Sequence, residues 1–371
     1  MKIIAPAREL ANAVELAATL ADGDKSKVPA FGAAHLVAGD GELAIIASNG
    51  NASLSVGIEA QGEGEVAVPA RQLAELTKHF GKTEVTISVS KHAATVVSGK
   101  SCFRLPVIPI KDMPPPLALD VIGGQVNLDI KAARDLFKRP AYAISGEPAR
   151  YYLCGLLLQD GEGGLVGAAA DGHHLARVTI PAATSLSKGR TLIVPGWTVK
   201  IVRKLLGDVS GAVTLRRSER LFELSAANVH LVSRLIDASY PEYERTIAAA
   251  EGAITVNRAE LIEAVARFAA INDPKMPAVA LAWNEAGELH LSARDGSEDL
   301  LVGEAYGAGA TTLQTMLLAE ALDELRGERV RLTAGAVGSP IRISDPADGS
   351  FLALIALFRG WTPNKKEAMS S

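Results

Sequence analysis

Cysteine, long apolar runs and every familiar catalytic signature are scarce or missing in this sequence. Cys102 and Cys154 are the only cysteines in 371 residues, and neither lies in a CxxC pair. That excludes a disulfide framework and a thiolate metal site. Each cysteine sits in an apolar strand-like run, which predicts a buried free thiol and fits a reducing cytoplasm. No stretch approaches an uninterrupted membrane span. The opening MKIIAPARELANAV places Arg8 and Glu9 where a signal peptide needs its apolar core, so neither membrane insertion nor export is expected. HExxH, GxSxG, GxGxxG and the Walker pattern are all absent, leaving no motif for a metal, a nucleophile or a phosphate cradle. No cofactor, no metal and no enzymatic activity are expected.

What is present is globular in composition, 48% apolar and 22% charged, and too long for one ordinary core. Its most informative stretch is RYYLCGLLLQDGEGGLVGAAADGHHL, from Arg150 to Leu175. Two apolar runs, Tyr151 to Leu158 and Leu165 to Ala170, read as strands joined by a glycine hairpin at residues 160–164. The second run delivers Asp171, Gly172, His173 and His174 to a sheet end, with Gly172 permitting a tight backbone. Adjacent histidines on a strand face opposite ways, which argues against a metal pair and for structural or binding roles.

The chain repeats itself. VPARQLAELTKHF and VPGWTVKIVRKLL share a proline at the start of an amphipathic helix, and each is followed by a pair of strands. PARELANAVELAATL, DIKAARDLFKRPAYAIS and NRAELIEAVARFAAIN supply an earlier helix in each of three units. This predicts an α+β protein of three similar domains, residues 1–120, 124–249 and 250–371, the last carrying a polar, aperiodic tail over 360–371. Head-to-tail pairing of such chains would close a ring.

Formal charge is −4, which excludes a protein that coats DNA with its whole surface. Basic residues nevertheless recur at helical spacing: Arg71, Lys78 and Lys82, then Lys131, Arg134 and Lys138, then Lys200, Arg203 and Lys204. Such stripes suit sequence-independent phosphate contacts. The third unit departs, since LQTMLLAEALDELRG is acidic and leaves Arg258, Arg267 and Lys275 as its basic contribution.

RYYLCGLLL, ADGHHLA and SYPEYER together resemble the bacterial sliding clamp family, the beta subunits of DNA polymerase III. The resemblance implies three clamp domains per chain and two chains in a closed ring, helices inside around duplex DNA and sheets outside. It implies a non-catalytic processivity factor, cytoplasmic and nucleoid-associated. Its partners would be a second copy, duplex DNA, the polymerase alpha subunit, the clamp loader and other replication or repair proteins. Lys25, Lys27, Tyr151 and Tyr152 would also face DNA.

Partners of that family insert a short peptide into a groove. The matching residues here are Arg150, Leu153, Ala170, Gly172, His173, His174 and Leu175, then Pro241 and Arg245, then Leu354, Ile355, Ala356 and Leu357. Phe103 and Leu105 would meet Ile271 and Asn272 of a second chain. The chain departs from the family pattern at Ala170, His174, Asn272 and the extension after Gly360, which implies altered peptide preference. Two rival readings are a divergent, regulatory or inhibitor-resistant second clamp, and a hydrolase built on Asp171 and His173.

Overall fold

The computed structural model describes residues 2–21, 28–81, 83–90, 93–271, 273 and 277–360. Lys25, Lys27, Lys82, Asn272, Lys275 and the tail beyond Gly360 lie outside them.

Six times a strand runs directly into a helix. Lys2–Pro6 leads into α1 (Ala7–Leu20) and Gln61–Pro69 into α2 (Ala70–Lys78). Gly124–Asp129 leads into α3 (Ile130–Lys138) and Leu192–Pro195 into α4 (Gly196–Asp208). Gly252–Asn257 leads into α5 (Arg258–Ile271) and Gly309–Gln314 into α6 (Thr315–Asp323). The local chemistry explains the switch. Pro6, Pro69 and Pro195 hold φ at −62°, −58° and −54° at the junction, with no donor to lose. Asp129 and Asn257 act instead as side-chain caps, accepting from Ala132 N at 2.8 Å and Ala259 N at 2.9 Å.

After α2, α4 and α6 comes a three-stranded meander rather than the expected pair. The first is Glu84–Val89, Ala93–Ser98 and Ser101–Pro106. The second is Ala212–Arg217, Leu221–Ala226 and Val229–Arg234, and the third is Arg329–Ala334, Ile341–Asp345 and Asp348–Ile355. Two-residue turns hide in what read as continuous strand: Ser98 pairs with Ser101 and Ala226 with Val229, with φ +57° at Gly99 and +46° at Ala227.

The chain forms two compact units, which regroup the three sequence repeats. One comprises residues 1–134 and 182–237 and contains a twelve-stranded sheet. There the strand Ala52–Glu59 pairs with Val229–Arg234, so the sheet of the first repeat continues into the second. Ser101–Pro106 forms one edge of this sheet. The other unit comprises residues 135–181 and 238–371. In it His174–Ile180 pairs with Asp348–Ile355, and a separate four-stranded sheet ends on the edge strand Glu298–Val302. No helix among the described residues is long and apolar enough to cross a membrane.

Two expectations need correction. Cys102 is exposed and Cys154 half-buried, because Cys102 lies on the edge strand and Cys154 follows a short helical turn, where its thiol donates to Glu147 O at 3.2 Å. The run from Tyr151 to Leu158 is not one strand. Pro148 opens a 3-10 turn, Pro148–Leu153, and the strand begins only at Gly155.

Candidate functional site

The hairpin expected around the glycines is present: Gly161 pairs with Gly164, and Gly163 takes φ +86°. Its second strand, Gly164–Ala170, and the following His174–Ile180 align Ala170 with Leu175. The next pairing aligns Leu175 with Leu354. Leu157, Ala168, Leu175 and Leu354 form one buried cluster with Tyr243. Above that floor SYPEYER makes a wall: Tyr243–Thr246 is a 3-10 turn, and the Tyr240 and Tyr243 rings meet edge to face at 6.4 Å. The enclosed cleft measures about 240 Å³, and apolar side chains make most of its lining. Such a surface takes up aliphatic and aromatic side chains by burial.

The lip of the cleft is held by one carboxylate. Asp171 Oδ1 accepts from His173 N at 2.8 Å, from His174 N at 2.9 Å and from His174 Nδ1 at 2.8 Å. Burial alone would raise the Asp171 carboxyl, but the hydrogen bonds from His174 and His173 outweigh it and bring the pKa down to about 2. His174 Nε2 lies 3.4 Å from Glu320, and its ring meets Tyr142 edge-on at 5.2 Å. Gly172 has φ +94°, and a Cβ there would collide with the Arg150 guanidinium. His174 is buried and His173 exposed, but the strand begins only at His174 and both histidines line the cleft, so strand alternation does not set them on opposite faces. Asp171 is thus occupied with His174 and the lip backbone. It forms no acid/base pair with the His173 ring, so the hydrolase reading has no geometry behind it.

Leu153, Ala170, Gly172, His173, His174, Leu175, Pro241, Leu354 and Ala356 all line the cleft. Four expected residues do not. Ile355 is sealed on the opposite face by strand alternation, and Leu357 falls just beyond the lining. Arg245 is 82% exposed and pairs with Glu242. Arg150 stands behind Gly172, bound to Glu147 at 2.7 Å. Tyr240, Glu242, Tyr243, Thr246 and Pro340 line the cleft without having been singled out. The two tyrosines were signalled by their i, i+3 spacing in SYPEYER.

The basic helix faces are exposed where expected at Arg71, Lys78, Lys131, Arg134, Lys138, Lys200, Arg203 and Lys204. Not all are free to meet phosphate. Arg134 donates to the α4 end at Leu206 O (2.7 Å) and Val209 O (3.0 Å). Lys204 binds Glu15 at 2.9 Å, and Lys78 binds Glu75 at 3.0 Å. In the third repeat Arg258 spends its guanidinium on Gly327 O and Leu322 O, and Arg267 binds Asp299. Exposed Glu260, Glu263 and Asp323 leave those helices acidic, as their sequence suggests. Tyr151 is exposed and Tyr152 half-buried, ring against ring at 5.9 Å.

Of the expected pairing surface, Phe103 is 43% exposed beside Phe80, and Ile271 is 53% exposed. Leu105, two positions along the same strand, is buried. Leu300 and Val302 are exposed on the other edge strand.

Repeated strand-to-helix steps, an apolar cleft and basic helix faces are the build of a DNA clamp, which holds partners rather than converting them. Comparison with known proteins narrows this class. Residues 1–119 match the N-terminal domain of the DNA polymerase III beta subunit family, and residues 127–242 match its central domain. The beta sliding clamp of Caulobacter vibrioides is 29% identical over 301 residues, covering 77% of this chain and 80% of that protein. That of Pseudomonas putida is 27% identical over 278 residues, covering 72% and 75%. The crystal structure of a sliding clamp from Bartonella birtlesii bound to griselimycin superposes with a TM-score of 0.89 at 25% identity, covering 97% of this chain and 99% of that one. The chain belongs to the family of bacterial DNA polymerase III beta subunits, the beta sliding clamps. It functions as a non-catalytic processivity factor, working as a homodimer with DNA, the polymerase and other clamp-binding proteins.

Proposed function

We propose that the 240 Å³ cleft is the docking site for short peptides of the polymerase alpha subunit, the clamp loader and repair proteins. The carrying observation is the apolar floor, Leu175 and Leu354, set under the two tyrosines of SYPEYER. Residues 1–120, 124–249 and 250–371 act as three clamp domains, and two chains close a ring around duplex DNA in the cytoplasm at the nucleoid. Lys131, Lys138, Lys200 and Arg203 carry the phosphate contacts. Arg134 and Lys204 contribute to the field while anchored within the protein.

A fluorescent peptide of the Gln-x-x-Leu-Phe type tests the cleft. Saturable binding is expected, weakened at least about tenfold, or about 1.4 kcal/mol, by Ala356→Arg, which plugs the half-exposed rim without entering the core. Equal affinity in the variant, or no binding by folded protein, refutes this site.

Phe103 and the edge strand Ser101–Pro106 form one side of the chain-to-chain contact, with Ile271 on the other. Phe103→Asp places a desolvated charge at that contact. Light scattering at micromolar concentration is expected to show a monomer; an undiminished dimer mass contradicts the assignment.

A further inference from the structure

A second cleft, of about 340 Å³, lies on the sheet formed by Gly252–Asn257, Glu304–Tyr306, Arg329–Ala334 and Ile341–Asp345. The register aligns Ala253 with Tyr306 and Thr333, Thr255 with Glu304 and Arg331, and Thr333 with Arg342. All these positions therefore share one face. None belongs to the peptide cleft.

The polar groups of this cleft are unevenly matched. Arg331 is exposed and gives Nε to Thr255 Oγ1 at 3.2 Å, a neutral acceptor, and it pairs with no carboxylate among the described residues. Arg342 is half-buried, and its guanidinium has no partner among the described residues. The one acid of the lining, Glu304, is held by Arg329 at 2.7 Å. Thr333 is 3% exposed, and its hydroxyl has no hydrogen-bond partner among the described residues. Buried polar groups are ordinarily satisfied, so the Thr333 hydroxyl, beside the half-buried Arg342 and the exposed Arg331, marks a place for an incoming acceptor. Tyr306, 75% exposed, supplies a flat ring at the same cleft.

We propose that this cleft binds a nucleotide unit, its phosphate on Arg331 and Arg342 and its base against Tyr306. A phosphate offers several acceptor oxygens to planar guanidinium donors, whereas a single carboxylate leaves donors over. Stacking on one aromatic ring accepts any base. The cleft is large enough for one small ligand. The same chemistry comes from a free nucleotide or from one residue of a single strand.

The test uses the full chain, titrated with dAMP by calorimetry and with a fluorescein-labelled ten-nucleotide thymidine strand by anisotropy. Saturable binding is expected, weakened at least tenfold by Arg342→Ala and severalfold by Tyr306→Ala. Thr333→Val keeps the shape, and it is expected to weaken binding while the far-ultraviolet spectrum and docking-peptide affinity stay unchanged. Variant-sensitive binding of dAMP identifies a nucleotide site, and much tighter variant-sensitive binding of the strand identifies a single-strand site. No saturable binding of either probe, or binding that Arg342→Ala and Tyr306→Ala leave unaltered, overturns the proposal.

Discussion

Arg139→Ala is expected to cost about 3–5 kcal/mol of unfolding free energy, the typical penalty for removing one member of a buried ion pair. Arg139 is 1% exposed. Its Nε and Nη2 donate to Glu324 O at 3.2 and 3.1 Å, just past the end of α6. Its Nη1 reaches Asp348 at 2.8 Å and Ser350 Oγ at 3.2 Å, and the guanidinium lies 4.3 Å from the centre of the Phe351 ring. One side chain therefore ties the segment after α3 to the end of α6 and to the strand that floors the apolar cleft. A cation at a helix C-terminus also offsets the partial negative charge of its last carbonyls. The alanine leaves Asp348 Oδ2 and a helix-end carbonyl without this donor and vacates the volume of a buried side chain. Urea denaturation followed by circular dichroism reads the effect, and a loss below about 1 kcal/mol would show that Arg139 only fills space.

The second large effect is pH-dependent and centres on Asp171. Its pKa falls from 3.8 to about 2 in the folded protein. A carboxyl depressed in this way contributes stability that is fully present above the unfolded value and is lost as pH falls through the folded one. The difference amounts to about 2 kcal/mol, set against burial and supplied by the donors of His174 and His173. Wild-type stability is expected to drop between about pH 4 and pH 2. Asp171→Asn should start lower and lack that part of the slope. The variant should also bind docking peptide more weakly at neutral pH, because the lip carrying His173 and Gly172 is no longer pinned. Parallel pH profiles for the two proteins would contradict this role.

Much of the site could be read in the residues themselves. The DGHH turn and its positive-φ glycine follow from backbone sterics. Strand-to-helix switches announced themselves through proline, aspartate or asparagine at five of the six junctions. What escaped depends on partners distant in sequence. Lys138 and Arg139 are neighbours and chemically alike, yet one is exposed and the other sealed, because the chain turns at Pro140 and brings Arg139 under α6. Arg134 and Arg258 fit a basic stripe by spacing, but helix-end carbonyls some seventy residues away claim them. Phe103 and Leu105 share a strand face by alternation, and only packing decides which is covered. By proximity in the chain Ile355 groups with Leu354 and Ala356, a grouping that a period of two divides, and Leu357 lies past the end of the strand.

Retention on DNA of defined topology tests directly whether the protein encloses the duplex. The protein is loaded onto a nicked circular plasmid with its clamp loader and ATP, then separated from free protein by gel filtration before and after the plasmid is cut once. A sliding ring is expected to stay with the circle in high salt and to leave when the circle is linearised. Equal retention on circle and linear DNA, lost as salt rises, would mean that the basic faces bind DNA without enclosing it and would contradict the central claim.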